Sequence, residues 1–382
     1  MKFKGPVWVV FLLCWVLTLV SAQTSAQLSV GSPSTQPDGT VIVPIQLSSS
    51  GLQVSALQFD VYVDNSAAST AVTIGSSGSG VSKNVNTGPA IGPAIRVVLV
   101  GMNQDTIPDG AVVSLVVTPV ATGFSGTVNV FNTLASDPSG STVSISGTSP
   151  GGGATLTVVN AASFTSGTVA PGELVSLFQT GMLPAAAAAS DLAVTFNGAA
   201  APLLFAGTDQ INAVTPFELA GSSSALVTVT YQGQTVALGT VPVAAVAPAI
   251  FSASGSGSGQ ALAFNVDGTL NSASNPAARG STVAFYGTGG GVLNPPLTDG
   301  QILPNNLTPT SKLPVNSNVA IGGKDASLQC GTCYIGPAPG FIAGLLQVNF
   351  VIPATVAPGS AVTLNWFVAG SRSQAGITIA VK

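Results

Sequence analysis

The chain has 382 residues, with 13 acidic and 9 basic side chains and no histidine. Charged residues make up only 6% of it, far below the roughly one quarter usual for a soluble domain, so Gly, Ser, Thr, Asn and Ala must form most of the surface. This composition excludes His-based catalytic triads and His metal sites. It also lacks the clustered Lys and Arg that nucleic acid or an anionic membrane surface would require.

The first segment reads as a leader. Lys2 and Lys4 precede an apolar run from Val7 to Val20, which closes on Val20-Ser21-Ala22. A basic start, a short apolar core and small residues at the cleavage positions describe a secretory signal peptide over residues 1–22. The run is shorter than the roughly 20 residues of a membrane span. Cys14 sits inside it after Leu13, where a lipid-attachment site needs a small residue. No later segment is apolar and long enough to span. The mature chain is therefore expected to be secreted, extracellular or at the cell surface, with the periplasm as an alternative.

From Leu28 to Gly147, short β-rich runs alternate with turn signals. Thr40 to Leu47 follows the turn Pro37-Asp38-Gly39. Leu57 to Asp64 alternates with period two, as a strand with one wet face should. Ile95 to Val100, Ala111 to Val120, Thr127 to Phe131 and Thr142 to Ile145 are further predicted strands, and Asp109-Gly110 marks the turn before one of them. Many short strands at regular spacing predict a β-sandwich. The order PDGTVIVPIQL, LQFDVYVD, IRVVLVG and then Asp-Gly before AVVSLVVTPV resembles a cohesin-like module over residues 27–148. Cohesins belong to a sandwich superfamily that also contains carbohydrate-binding domains. The resemblance implies recognition of a protein partner through a flat sheet face. At Asp64-Asn65-Ser66-Ala67 the chain departs from the cohesin pattern, which bears on conventional dockerin recognition.

Residues 149–156 are Gly-rich and read as a linker. Beyond them a motif occurs twice. Asn160 to Gly181, with Pro171-Gly172-Glu173-Leu174-Val175, returns in degenerate form as Asn275 to Gly289. Gln210-Ile211-Asn212, closing at Pro216, returns as Gln347-Val348-Asn349, closing at Pro353. Repeated signals in the same order mean two copies of one structural unit. The copies are expected over 157–251 and 252–382, with an insertion in the second around Val292 to Asn318 and Cys330. The stretches VVNAASFTSGTVAPGELVSLFQTG, PLLFAGTDQINAVTPFE and APGFIAGLLQVNFVIP resemble the Solibacter-type C-terminal domain, which recurs at the end of exported acidobacterial proteins. That family has no characterised activity, so the resemblance implies architecture and location. The expected fold is all-β: a cohesin-like sandwich followed by two immunoglobulin-like sandwiches.

No constellation announces catalysis, a cofactor or a metal centre. Glu173, Glu218 and Asp209 lie near the repeated motif and read as solvated turn residues rather than the paired carboxylates of a glycosidase. Cys330-Gly331-Thr332-Cys333 sits in an all-β context without the helix start of a redox motif and without further Cys or His for zinc, so a local disulfide is expected. Asp60, Asp64, Asp105 and Asp109 could offer oxygen ligands to calcium, but their spacing matches no dedicated loop and turn chemistry is the simpler reading. Gly287 to Gly291 reads as a turn or bulge. Trp366 lies in an apolar strand and is expected in the core, not on a sugar-stacking platform. The expected function is non-catalytic binding, as an adhesion or scaffold protein with a protein partner. Carbohydrate binding in polysaccharide degradation is the alternative, and an unrecognised hydrolase a third reading.

Overall fold

The computed structural model describes residues 25–382 apart from 64–66, 91, 121–123, 125, 148–155, 306–312, 314–315 and 332. The leader and nearly all of the Gly-rich linker therefore lie outside the described residues. What is described is almost entirely β and gathers around three apolar cores.

The first sandwich is built from β1 (Ala26–Val30), β2 (Ser34–Thr35), β3 (Val41–Ser48), β4 (Ala56–Val63), β5 (Ala67–Ile74), β6 (Asn84–Pro89), β7 (Ile95–Val100), β8 (Gly110–Pro119), β9 (Val128–Ser136), β10 (Thr142–Val143) and β11 (Ile145–Ser146). One sheet runs β11-β1-β3-β8-β5, with β2 beside β3; the other runs β10-β9-β4-β7-β6. Period-two alternation sends Val41, Val43, Ile45, Leu57, Phe59, Val61, Val97 and Leu99 inward, where all are buried. Sequence reading missed β1, whose alternating Ala26, Leu28 and Val30 form a run of only five residues, and β5 and β6, whose Ser-, Thr- and Asn-rich runs carry little apolar periodicity. It also stopped β9 at Phe131. The strand continues to Ser136 because Asn132, at φ 50°, takes up a bulge and pairing resumes at Leu134.

The second sandwich comprises β12 (Thr157–Asn160), β13 (Leu174–Phe178), β14 (Leu192–Phe196), β15 (Ala199–Ala200), β16 (Leu203–Ala206), β17 (Gln210–Val214), β18 (Ser224–Tyr231) and β19 (Gln234–Pro242). Its sheets run β12-β13-β17-β16 and β15-β14-β18-β19. The third comprises β20 (Ala249–Ile250), β21 (Gly259–Gln260), β22 (Ala263–Asn265), β23 (Thr282–Thr288), β24 (Ser317–Ile321), β25 (Lys324–Asp325), β26 (Tyr334–Pro337), β27 (Leu346–Val351), β28 (Gly359–Val368), β29 (Ser371–Arg372) and β30 (Ile377–Val381). Its sheets run β20-β23-β27-β26, with β22 beside β23, and β21-β30-β28-β24-β25, with β29 beside β28.

The repeated motif occupies matching places in both. Val175 on β13 faces Ala213 on β17, and Val283 on β23 faces Phe350 on β27. The Gln-x-Asn pairs even make the same bond: Gln210 Nε2 donates to Asn212 Oδ1 at 2.8 Å, and Gln347 Nε2 to Asn349 Oδ1 at 2.9 Å. In the third core Trp366 is fully buried, edge-on to Phe285, with Nε1 donating to Ser317 Oγ at 2.9 Å.

Candidate binding face and junction cleft

Alternation leaves β9-β4-β7-β6 with an outer face that can be read as rows across the strands. Tyr62 on β4 lies opposite Asn129, with Ala94 and Ala90 beyond it toward β6. The next row is Phe131, Asp60, Arg96 and Gly88. Then come Leu134, Gln58, Val98 and Asn86, and finally Ser136, Ala56, Val100 and Asn84.

The second row is an ion-pair layer. Arg96 Nε and Nη2 reach Asp60 Oδ1 and Oδ2 at 2.8 and 2.9 Å, and Asn132 Nδ2 donates to Asp60 Oδ2 at 3.0 Å. Asp60 is fully buried, and the carboxylate raises the Arg96 pKa above its usual value through hydrogen bonding and charge. The last two rows are open and uncharged. Leu134 and Val100 are exposed there, Gln58 and Val98 are half-buried, and Met102 stands fully exposed just past the end of β7. Behind this end, Lys83 is buried, donating through Nζ to Asn103 Oδ1 at 2.7 Å and Ser55 Oγ at 3.3 Å; burial lowers its pKa.

The first row is covered. Leu226 of β18 and Leu238 of β19 bury Tyr62 and Ala94, and Phe131 and Ala90 pack at the margin. Here the tertiary structure adds what the resemblance to a flat recognition face leaves open: part of that face is covered by the second sandwich. Leu226 and Leu238 point away from their own core, and an adjacent apolar row is where that surface can be buried.

The second and third sandwiches meet through the repeated motif. Leu174 N donates to Thr288 Oγ1 at 2.8 Å, which in turn donates to Gly344 O at 2.9 Å, and Phe217 N donates to Asp299 Oδ1 at 3.0 Å. Gly344 sits at φ 113°, and a Cβ there would fall 2.6 Å from Gly172 O. Glu173 is fully buried rather than a solvated turn residue. Its Oε2 accepts from Ala170 N at 2.6 Å, its Oε1 has no partner among the described residues, and burial pushes its pKa up to about 8. Glu218 does lie at the surface, but against Asp299, whose pKa is pushed up to about 6 by burial and by that neighbouring carboxyl. The pair brings two carboxyls together, yet Asp299 Oδ1 is already held by Phe217 N, which makes the contact a clasp between sandwiches. Asp209 caps a turn, accepting from Gly181 N at 2.6 Å.

Beside this junction lies a cleft of about 380 Å³ lined by Asn160, Thr165, Ser166, Thr168, Ser371, Arg372 and Gln374 among others. Asn160 and Gln374 are occupied by backbone partners Ala247 and Ile250. Arg372 has no acidic partner among the described residues. Of the aspartates considered for calcium, Asp60 is held by Arg96, Asp109 Oδ1 accepts from Ser49 N at 2.7 Å, and Asp64 lies outside the described residues. No group of three or more potential metal ligands occurs among the described residues. Cys330 and Cys333 form a disulfide that closes a short turn.

Fold and face together define an all-β protein of three sandwiches, the first carrying a partly open sheet face whose open rows are uncharged. No family model matches the chain, and no curated protein matches it. Among solved structures it is similar over about a third of its length to cohesin modules. One is a non-cellulosomal cohesin from the archaeon Archaeoglobus fulgidus, at 15% identity over 32% of this chain and 86% of that one, with a TM-score of 0.27. Another is the sixth cohesin of scaffoldin B from Acetivibrio cellulolyticus, solved with a dockerin, at 21% identity over 33% and 95%, TM-score 0.27. The extracellular region of plexin A4 aligns over 94% of this chain and 34% of its own, at 10% identity and a TM-score of 0.23. No helix among the described residues is long and apolar enough to cross a membrane.

Proposed function

We propose that the chain is an exported, non-catalytic binding protein whose first sandwich engages a protein partner through the open rows of the β9-β4-β7-β6 face. The observation that carries this reading is the make-up of those rows: exposed Leu134 and Val100 with Val98, set among the amides Gln58, Asn84 and Asn86, and no charged side chain. Depletion of charge around an apolar centre, with neutral hydrogen-bonding groups at hand, is the pattern of a protein–protein interface core. The cohesin-like order of strands in the sequence supports the same reading, and the Solibacter-type resemblance of residues 157–382 together with the leader supports export. The test is capture from a culture supernatant of the source organism by the full chain, compared with Leu134→Asp/Val100→Asp. A partner retained by the parent and lost by the variant is expected; equal capture by both refutes the face.

A second reading, carbohydrate binding, is favoured by one observation: the hydroxyl-lined junction cleft with Arg372 at its edge. Hydroxyls and a guanidinium suit a saccharide carrying a carboxylate. A glycan array with the full chain and with Arg372→Ala separates the two, since a glycan signal that falls with Arg372→Ala supports the cleft and a blank array removes it.

A further inference from the structure

We propose that the second sandwich is an intramolecular occupant of one end of the partner-binding face, so that a partner covering the whole face must first displace it. This rests on the reading of the face given above and names its regulation. The masked row holds Tyr62, Ala94 and, at its margin, Phe131, whereas the open rows are aliphatic and amide. The intramolecular contact thus covers the aromatic end, the kind of surface that dominates interface energetics.

The contact is specific in shape. Gly92, at φ 57°, lies so close to the second sandwich that a Cβ on it would stand 2.8 Å from Asn197 Oδ1. That same Oδ1 accepts from Leu226 N at 2.8 Å, which ties the approach of Gly92 to the strand that supplies the covering leucine. Thr127 Oγ1 and Gln234 Oε1 meet at 3.2 Å on the other flank. The contact is also slight. Among the described residues no backbone hydrogen bond joins the first sandwich to the second, and the apolar seam is four buried side chains. The second and third sandwiches, by contrast, are pinned by Leu174 to Thr288 and by Phe217 to Asp299. A weak seam at one junction and a strong one at the other make the first sandwich the separable unit. Any ligand that needs the masked row then binds with an affinity reduced by the fraction of molecules in which the seam is open.

The test uses the full chain and no natural partner. Ala94→Cys is labelled with a maleimide, without reductant, in the parent background and in Leu226→Thr/Leu238→Thr. Threonine keeps strand propensity, and both positions point away from the core of their own sandwich, so unchanged thermal unfolding is the control for folding. Labelling at least tenfold slower in the parent background is expected. Equal rates, fast or slow, overturn the proposal, because Ala94 would then owe its burial to something other than these leucines. A second measurement leaves Ala94 unchanged: a synthetic binding domain is selected on the Leu226→Thr/Leu238→Thr chain and mapped to Tyr62. It should bind the parent at least tenfold more weakly, and equal affinity overturns the masking. Either failure leaves the binding reading standing, since that reading is tested by Leu134→Asp/Val100→Asp alone.

Discussion

Glu173 carries a fully buried carboxyl with one oxygen on Ala170 N and the other without a partner among the described residues. Its folded pKa, about 8, stands above the ordinary 4.5 because burial penalises the charged form. The folded chain therefore holds this proton more tightly than the unfolded chain. Stability is highest below the unfolded value and falls as pH rises from about 4.5 to about 8, by about 5 kcal/mol. Glu173→Gln should flatten that decline and raise the melting temperature at pH 8 while changing little at pH 4; thermal unfolding across pH checks it. At Asp60 and Arg96 the asymmetry of burial decides the order of effects. Arg96→Ala strands a buried carboxylate and should cost about 3 kcal/mol, whereas Asp60→Asn frees a guanidinium that is already 39% exposed and should cost about 1 kcal/mol. Denaturant unfolding of the two variants gives the ranking, and a reversed order would be inconsistent with this account.

Within the elements, the β28 strand and its neighbours hold the third core through one large side chain. Trp366 contacts Phe285 edge-on and bonds Ser317, so Trp366→Ala should lose about 3–5 kcal/mol, read from denaturant midpoints. The Cys330–Cys333 turn is a different kind of element. It closes a loop so short that the chain-entropy model assigns it only about 2 kcal/mol. Intact mass should rise by two hydrogens on reduction, and the reduced chain should remain folded in thermal unfolding. Free thiols in the unreduced protein would contradict the pairing.

Across the whole molecule, the Glu218–Asp299 clasp joins the second and third sandwiches. Its raised pKa, about 6, means the contact prefers a proton, so the junction is firmest in acid and weakens as pH rises from about 4 through about 6. Both groups are partly in water, so the effect is about 1 kcal/mol at most. Asp299→Asn should remove this pH dependence, and limited proteolysis of the full chain at pH 5 and pH 7.5 would register the difference between parent and variant. A junction equally resistant at both pH values would rule the clasp out as a titrating contact.

The sequence by itself determined the fold class, the doubled motif and the register of its copies. The physical reason is local. Period-two alternation in Val41 to Ser48 and Ala56 to Val63 can satisfy burial in only one way, and the Gln-x-Asn pairs make the same side-chain bond along one strand in each copy. Strands of low apolar contrast, such as Ala67–Ile74 and Asn84–Pro89, stayed hidden because their order comes from backbone pairing with β8 and β7. Only the tertiary structure decided the fate of Glu173, Asp60 and Tyr62. Each owes its burial to residues distant in the chain: Thr215 and the third sandwich beside Glu173, Arg96 and Asn132 around Asp60, and Leu226 and Leu238 over Tyr62. Burial of that kind depends on contacts between residues far apart in the chain, within one sandwich at Asp60 and between sandwiches at Tyr62 and Glu173, and no local pattern in the chain encodes it.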